Sequence, residues 1–193
     1  MDLEQWIKDE HAAIGPLFDM NVLNMVPRDK LTVKPASNSN SIAWLVWHLA
    51  RCEDIIVNTV IRGGPQVLRR VDWRRELGVD DERIGTGLRD EEVVDFGERV
   101  NVDALLDYWR QVRAETASWL DGGAPLEAFD EVPNLHERLA SVPAIVPQEG
   151  TWVLPLWGRK PVSFLFRWVV IGHGYLHLGE MQAVRGQLGI RGI

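Results

Sequence analysis

The chain has 193 residues, a formal net charge of −7 and a single cysteine, and these values exclude several classes of protein. A nucleic-acid-binding protein usually carries a basic face, and the acidic balance argues against one. One cysteine cannot form an internal disulfide or a cysteine-based zinc motif, and it fits a reducing, cytoplasmic setting. With 46% hydrophobic residues, the chain can bury a core, and its length is typical of one domain over residues 1–193.

The sequence gives no reason to expect a membrane partner. The first four residues, MDLE, lack the basic and then apolar pattern of a signal peptide. The longest apolar stretch, residues 161–178, is interrupted by Arg167, His173 and His177. Because such groups are costly inside a bilayer, this stretch predicts a buried helix and not a membrane span.

Four segments have the spacing of apolar residues that is typical of amphipathic helices. The first covers about residues 2–25 and contains Pro16, which is expected to kink it. The second follows the polar run 37–41, whose side chains suit an N-cap, and ends near the glycines at 63 and 64. Its predicted inward-facing positions are Leu45, His48, Cys52 and Ile55.

The third helix is predicted at about residues 101–120, preceded by a short helix at about 90–98. The fourth is predicted at about 161–187, with Pro161 in its first turn. Between these two, residues 122–160 are rich in proline and glycine and are a candidate for short strands or a lid. The long connections after the second and third helices predict an all-α four-helix bundle with crossover connections.

Two histidines of the fourth helix, His173 and His177, are four residues apart and therefore share one face. Imidazoles at this spacing can bind one metal ion together. The alternative is a pair of core histidines with ordinary hydrogen-bond partners. Because the surrounding helix is apolar, two buried rings side by side need partners there, and a metal ion meets that need.

A third histidine, His48, lies on the apolar stripe of the second helix. Alone it would more often be a core residue, but three inward histidines on two helices favour a shared metal site. The zincin motif fails because Gly174 stands where it needs glutamate, and no histidine has the glutamate three residues earlier that di-iron bundles require. The remaining template is a mononuclear three-histidine site with open coordination positions, which suits Zn, Ni, Fe or Co.

The other polar candidates are weaker. Glu180, three residues after His177, is a candidate to orient an imidazole from outside the ligand set, and a surface role is equally consistent with its position. His11 lies on an inward stripe, where a core role is favoured over a place in the pocket. Cys52 is interpreted as a small buried hydrophobic residue, and His136 receives no role.

Two segments resemble the DinB-like superfamily. Residues 40–54, NSIAWLVWHLARCED, resemble its second helix, and residues 173–186, HGYLHLGEMQAVRG, resemble its last helix. That superfamily includes the mycothiol-dependent maleylpyruvate isomerases and the bacillithiol and mycothiol S-transferases. The resemblance covers nearly the whole chain, since one histidine on the second helix is followed by the late histidine pair.

The resemblance implies a four-helix bundle with non-sequential helix order, often dimeric, with a Zn or Ni ion on His48, His173 and His177. It also implies transfer or isomerisation chemistry with a low-molecular-weight thiol, whose thiolate the metal would present to an electrophile. The leading interpretation is therefore a metal-dependent thiol S-transferase or isomerase that acts on a small-molecule substrate as a homodimer.

Two other functions stay open at this point. One is a metal-dependent hydrolase of a small ester, amide or lactone, with Glu180 or His11 as the proton carrier. The other is a non-catalytic, metal-stabilised binding module, whose surface would use some of the nine tryptophans. The sequence identifies neither the substrate nor the native metal.

Overall fold

The computed structural model describes residues 2–70, 72–123, 126–140, 142 and 145–192. All regular secondary structure within these ranges is helical, which confirms the predicted all-α class. None of the helices in these ranges combines the length and the apolar composition that crossing a membrane requires. The assignment of residues 1–193 to one domain stays a prediction.

The first two long helices match the predicted ones closely. Helix α1 is Leu3–Phe18 and continues as a π-helix over Asp19–Leu23, so Pro16 lies inside it and does not end it. After a 3-10 turn at Arg28–Lys30, helix α2 is Ile42–Glu53 and continues as a π-helix over Asp54–Ile61. The side chain of Ser41 accepts a hydrogen bond from the Trp44 amide, so the polar run does cap α2.

Short helices separate the second long helix from the third. Three of them are α3 (Val67–Arg70), α4 (Trp73–Leu77) and α5 (Asp90–Arg99). The third long helix, α6, is Val102–Asp121, and Asn101 caps it by accepting from the amides of the first turn.

All regular secondary structure in the described part of the connection from α6 to the last long helix is helical, so the short strands that the sequence left open do not occur in that part of it. It contains 3-10 turns at Leu126–Asp130 and Gln148–Gly150 and the helices α7 (Leu135–Leu139) and α8 (Val153–Trp157). The last long helix consists of α9 (Val162–Leu165), a π-helix (Phe166–Gly172) and α10 (His173–Gln187).

The four long helices form a bundle in which two of the three sequence-consecutive pairs are not adjacent in space. Helix α1 packs against α6 and α10, and α2 packs against the same two helices. Helix α1 therefore stands diagonal to α2, and α6 stands diagonal to the last long helix, whereas α2 and α6 are adjacent. The order is not that of a simple series of helical hairpins, and it agrees with the predicted bundle with crossover connections. The helices that carry the three histidines, α2 and α10, lie side by side.

Helix α2 is more deeply buried than an amphipathic stripe implies. All twelve of its residues are buried, including the charged side chains of Arg51 and Glu53. It is the central helix of the bundle, so its polar residues face neighbouring elements in place of water and need partners there.

Arg51 meets that requirement through a buried network. Its guanidinium donates to the Tyr108 hydroxyl at 3.0 Å and to the Gln66 side chain at 2.7 Å. The Tyr108 hydroxyl in turn donates to Asp54 at 2.8 Å, and that carboxylate also accepts from the first amides of α3. Arg51 also donates to the carbonyl of Glu82 at 2.6 Å, which anchors the segment that leads to Ile84.

We expect Arg51→Met to lower the free energy of unfolding by about 3–5 kcal/mol, because it leaves the buried Asp54 carboxylate without its cationic partner. Urea denaturation measures the change. Arg75→Met is the matched control, since the Arg75 side chain is 76% exposed and its loss should change stability by less than about 0.5 kcal/mol. Equal effects of the two substitutions would contradict a structural role for the network.

Candidate metal centre

The three predicted histidines come together between α2 and α10. His48 Nε2 lies 3.2 Å from His173 Nε2, and His177 Nε2 lies 2.9 Å from the same atom. One nitrogen from each ring falls within 4.8 Å of the other two, and the group is positioned to bind a metal ion. His173 and His177 are one turn apart at the start of α10, as their spacing required.

Hydrogen bonds at Nδ1 orient the rings of His48 and His177 and determine which ring nitrogen carries the lone pair. His48 Nδ1 donates to the backbone carbonyl of Ile84, and His177 Nδ1 donates to Glu180 at 2.7 Å. A carbonyl and a carboxylate oxygen accept, so each Nδ1 carries the proton and each Nε2 of a neutral ring keeps a lone pair. Lone pairs that converge in a buried space repel one another unless a cation lies between them, so this donor set fits a metal ion.

Burial also keeps the ligands in the form that a metal needs. Loss of hydration lowers the pKa of His48 to about 4, and the nearby His177 adds to the effect. The same causes, burial first and the two neighbouring rings second, lower the pKa of His173 to about 2. Both rings are therefore neutral at physiological pH, and metal binding does not have to displace a proton from them.

Glu180 is held between two partners. One carboxylate oxygen accepts from His177, and the other accepts from the side-chain amide of Asn40 at 3.0 Å. The hydrogen bond with His177 lowers the pKa of Glu180, so the carboxylate is ionised. The sequence indicated Glu180 but missed Asn40, because the residues around Asn40 also suit a helix N-cap and 140 residues separate the bonded pair.

The wall of the site next to His48 is aromatic and tightly packed. The Trp44 ring stacks on His48, with ring centroids 5.1 Å apart and the planes inclined by 10°. Gly85 has a left-handed φ of +91°, and a Cβ there would lie 3.0 Å from the indole. A side chain at position 85 would thus be strained and would collide with Trp44, which explains the glycine next to Ile84.

The other sequence candidates lie outside the ligand set. Burial raises the pKa of Cys52 to about 12, so its thiol stays protonated although Sγ lies 3.8 Å from His48 Nδ1. His11 Nε2 lies 3.0 Å from a carboxylate oxygen of Glu53, and Arg113 donates to the other oxygen at 3.0 Å. His11 therefore belongs to a buried polar cluster, as the core interpretation predicted.

Comparison with known proteins agrees with this architecture. The sequence model of the DinB superfamily matches residues 20–181. A crystal structure of a conserved protein from Enterococcus faecalis is similar over 98% of this chain and 99% of that one, with a TM-score of 0.73 at 20% sequence identity. No curated protein matches the sequence.

The match covers most of the chain, which therefore belongs to the DinB superfamily. The structural similarity, at 20% identity, shows a shared fold and nothing about the reaction.

We expect His48→Ala, His173→Ala and His177→Ala each to reduce the bound metal of the purified protein to a small fraction, because two imidazoles hold a divalent ion far more weakly than three. Elemental analysis measures the metal per chain. His136→Ala is the control, since His136 is exposed and lies in α7. Full metal occupancy in all three variants would rule out the site.

We expect the metal-free protein to lose stability as the pH falls from 6.5 towards 4. The unfolded chain takes up protons on His48 and His173 near their ordinary pKa of 6.5, whereas the folded pKa values are about 4 and about 2. Protonation thus favours the unfolded state across this window, by about 1.4 kcal/mol for each pKa unit of difference.

Urea unfolding between pH 4 and pH 7 measures this loss for the metal-free wild type and for His173→Leu. The variant should show a shallower decline, because one buried titrating ring is gone. Parallel pH profiles for the two proteins would contradict the role assigned to burial.

Proposed function

We propose that this protein is a metal-dependent thiol S-transferase or isomerase for small electrophilic molecules, with one divalent ion on His48, His173 and His177. The observation that carries the proposal is the convergence of three Nε2 atoms with no fourth protein ligand among the described residues. A three-histidine set leaves coordination positions for an external ligand, which is the mark of a catalytic site and not a structural one. The imidazole ligands suit Zn or Ni, and Fe or Co would also fit.

The bound ion would favour the thiolate of an external thiol and so supply the nucleophile at neutral pH. Other residues of the chain hold the metal-ligating rings in place. The Ile84 carbonyl fixes the ring of His48, and Glu180, itself held by Asn40, orients His177. We assign Glu180 this positioning role because both of its oxygens are engaged.

The state of the only cysteine supports an external thiol. Cys52 is buried, and its raised pKa keeps it protonated, so it cannot supply a thiolate at neutral pH. Thiol chemistry at this centre must then use a small molecule. An unpaired, protonated cysteine also fits the reducing, cytoplasmic setting that we propose for the protein.

The hydrolase alternative has less support. It needs a proton carrier within reach of the metal-bound water, and the sequence offered Glu180 and His11 for that role. Glu180 is occupied by His177 and Asn40, and His11 is occupied by Glu53. In this arrangement both oxygens of Glu180 and Nε2 of His11 are directed at protein partners and not at the open positions of the metal centre.

We also propose that the protein is a homodimer. The last long helix exposes large apolar side chains, with Trp168 55% exposed and Leu176 61% exposed. The exposure of Leu176 puts it on the outer face of α10. Exposed apolar side chains on one element are typical of a surface that pairs with another chain.

We expect the zinc-loaded protein to bind one equivalent of mycothiol or bacillithiol per chain, and His173→Ala to lose that binding, because the thiol sulfur would ligate the ion. Isothermal titration calorimetry measures both. The S-methylated form of the same thiol is the control, since it has no thiolate to offer and should bind much more weakly.

Failure of both thiols to bind the metal-loaded protein would reject the thiol proposal. Release of p-nitrophenol from a p-nitrophenyl ester without any thiol would favour the hydrolase. If chelation lowered the melting temperature sharply and no turnover were found with thiols or esters, the centre would be that of a non-catalytic module.

A further inference from the structure

An open groove lies in the connection between α6 and α9, outside the metal centre. Its volume is about 1190 Å³, enough for a small organic molecule. Helices α7 and α8 and the segments beside them form its walls, which are mainly apolar: Leu135, Leu139, Val142, Ile145, Leu154 and Pro155. None of the three metal-site histidines lines this groove.

The charge of the groove differs from that of the chain as a whole. The chain has a net charge of −7, yet none of the described residues that line the groove is acidic. The lining instead contains the guanidinium of Arg159 and the imidazole of His136, both of which are exposed. An apolar wall beside a cation and without carboxylates is complementary to a molecule that has an apolar body and an anionic end.

The backbone conformation at Arg159, which lines the groove, is unusual. Arg159 has a φ of +58°, the one left-handed conformation at a non-glycine position in the described part of the chain. An L-residue in this region costs about 1–2 kcal/mol, and such strain is concentrated at functional positions. Among the described residues, no carboxylate forms an ion pair with Arg159, so its guanidinium is available to a ligand.

Two backbone hydrogen bonds connect the wall of the groove to the metal centre. The carbonyl of Ile145, in the groove wall, accepts from the Ile84 amide at 2.8 Å. The carbonyl of Ile84 accepts from His48. A molecule in the groove would thus lie two hydrogen bonds away from a metal-site ring.

We propose that the groove binds a small apolar carboxylate, whose carboxylate pairs with Arg159 and whose hydrocarbon or aromatic body lies along the wall of α7 and α8. A guanidinium matches a carboxylate in geometry and can donate two parallel hydrogen bonds to it. Burial of the apolar body supplies the larger part of the affinity. This site does not depend on the thiol chemistry proposed for the metal centre.

Three ten-carbon probes test the proposal by isothermal titration calorimetry of the full-length, metal-loaded protein: decanoate, decanol and decyltrimethylammonium, all below their micellar concentrations. One decanoate should bind per chain, roughly tenfold or more tightly than the ammonium compound, because only the carboxylate pairs with Arg159. Equal affinity for the three probes, or no binding of decanoate, would overturn the proposal.

Two variants locate the binding. Arg159→Glu should weaken decanoate binding by roughly tenfold or more, whereas Arg167→Glu, an exposed arginine outside the groove, should leave it unchanged. Ala140→Trp should reduce binding of all three probes by filling the groove from an exposed position in its lining. Far-UV circular dichroism checks that each variant is folded, and an unaltered decanoate affinity in folded Arg159→Glu would reject the assigned role.

A carboxylate could instead coordinate the metal ion, and removal of the metal separates the two cases. After chelation, decanoate should still bind at one site per chain and should still depend on Arg159. Complete loss of binding on chelation would place the carboxylate on the ion and overturn the proposal. A failure of mycothiol and bacillithiol to bind would leave this result unaffected, so the two proposals fail separately.

Discussion

Three imidazole rings whose Nε2 atoms face one another inside an apolar bundle are the constraint on which the rest of this structure depends. The Nε2 atoms of His48 and His177 lie 3.2 Å and 2.9 Å from that of His173, so a cation is needed wherever two lone pairs meet at such a distance. Two of the three rings are held in place by hydrogen bonds at Nδ1. The Ile84 carbonyl holds the His48 ring and Glu180 holds the His177 ring, and burial lowers the pKa of His48 and His173 so that both are neutral at physiological pH.

The support for His48 extends well beyond the site. Ile84 lies in a loop whose position depends on Glu82, and Glu82 is bonded to the buried guanidinium of Arg51. Arg51 is in turn balanced by Asp54 and Tyr108, which join α2 to α3 and α6. The depth of α2 in the bundle thus serves the site, because a fully buried helix offers its polar side chains fixed partners on several elements.

Much of this could be predicted from the sequence, since the controlling patterns are local. A spacing of four places His173 and His177 on one face, and a polar run before an apolar segment places the start of α2. Two partners could not be predicted: Asn40, which donates to Glu180, and Ile84, which accepts from His48. Each pair is brought together only by the tertiary fold. Because every residue has a backbone carbonyl, the sequence cannot show that the carbonyl of Ile84 in particular accepts from a histidine. The full burial of α2 was missed for a related reason: Arg51 and Glu53 read as surface residues until their partners are known.

Ile84 gives the molecule a link between its two proposed sites, since its carbonyl supports His48 and its amide is bonded to the groove wall at Ile145. If a molecule in the groove shifts the backbone at Ile84, it changes the orientation of the His48 ring in the metal centre. Coupling between two binding equilibria is reciprocal, so any factor by which an anion alters the affinity for metal is also the factor by which metal alters the affinity for the anion. A single residue can therefore make metal loading respond to the supply of a small molecule.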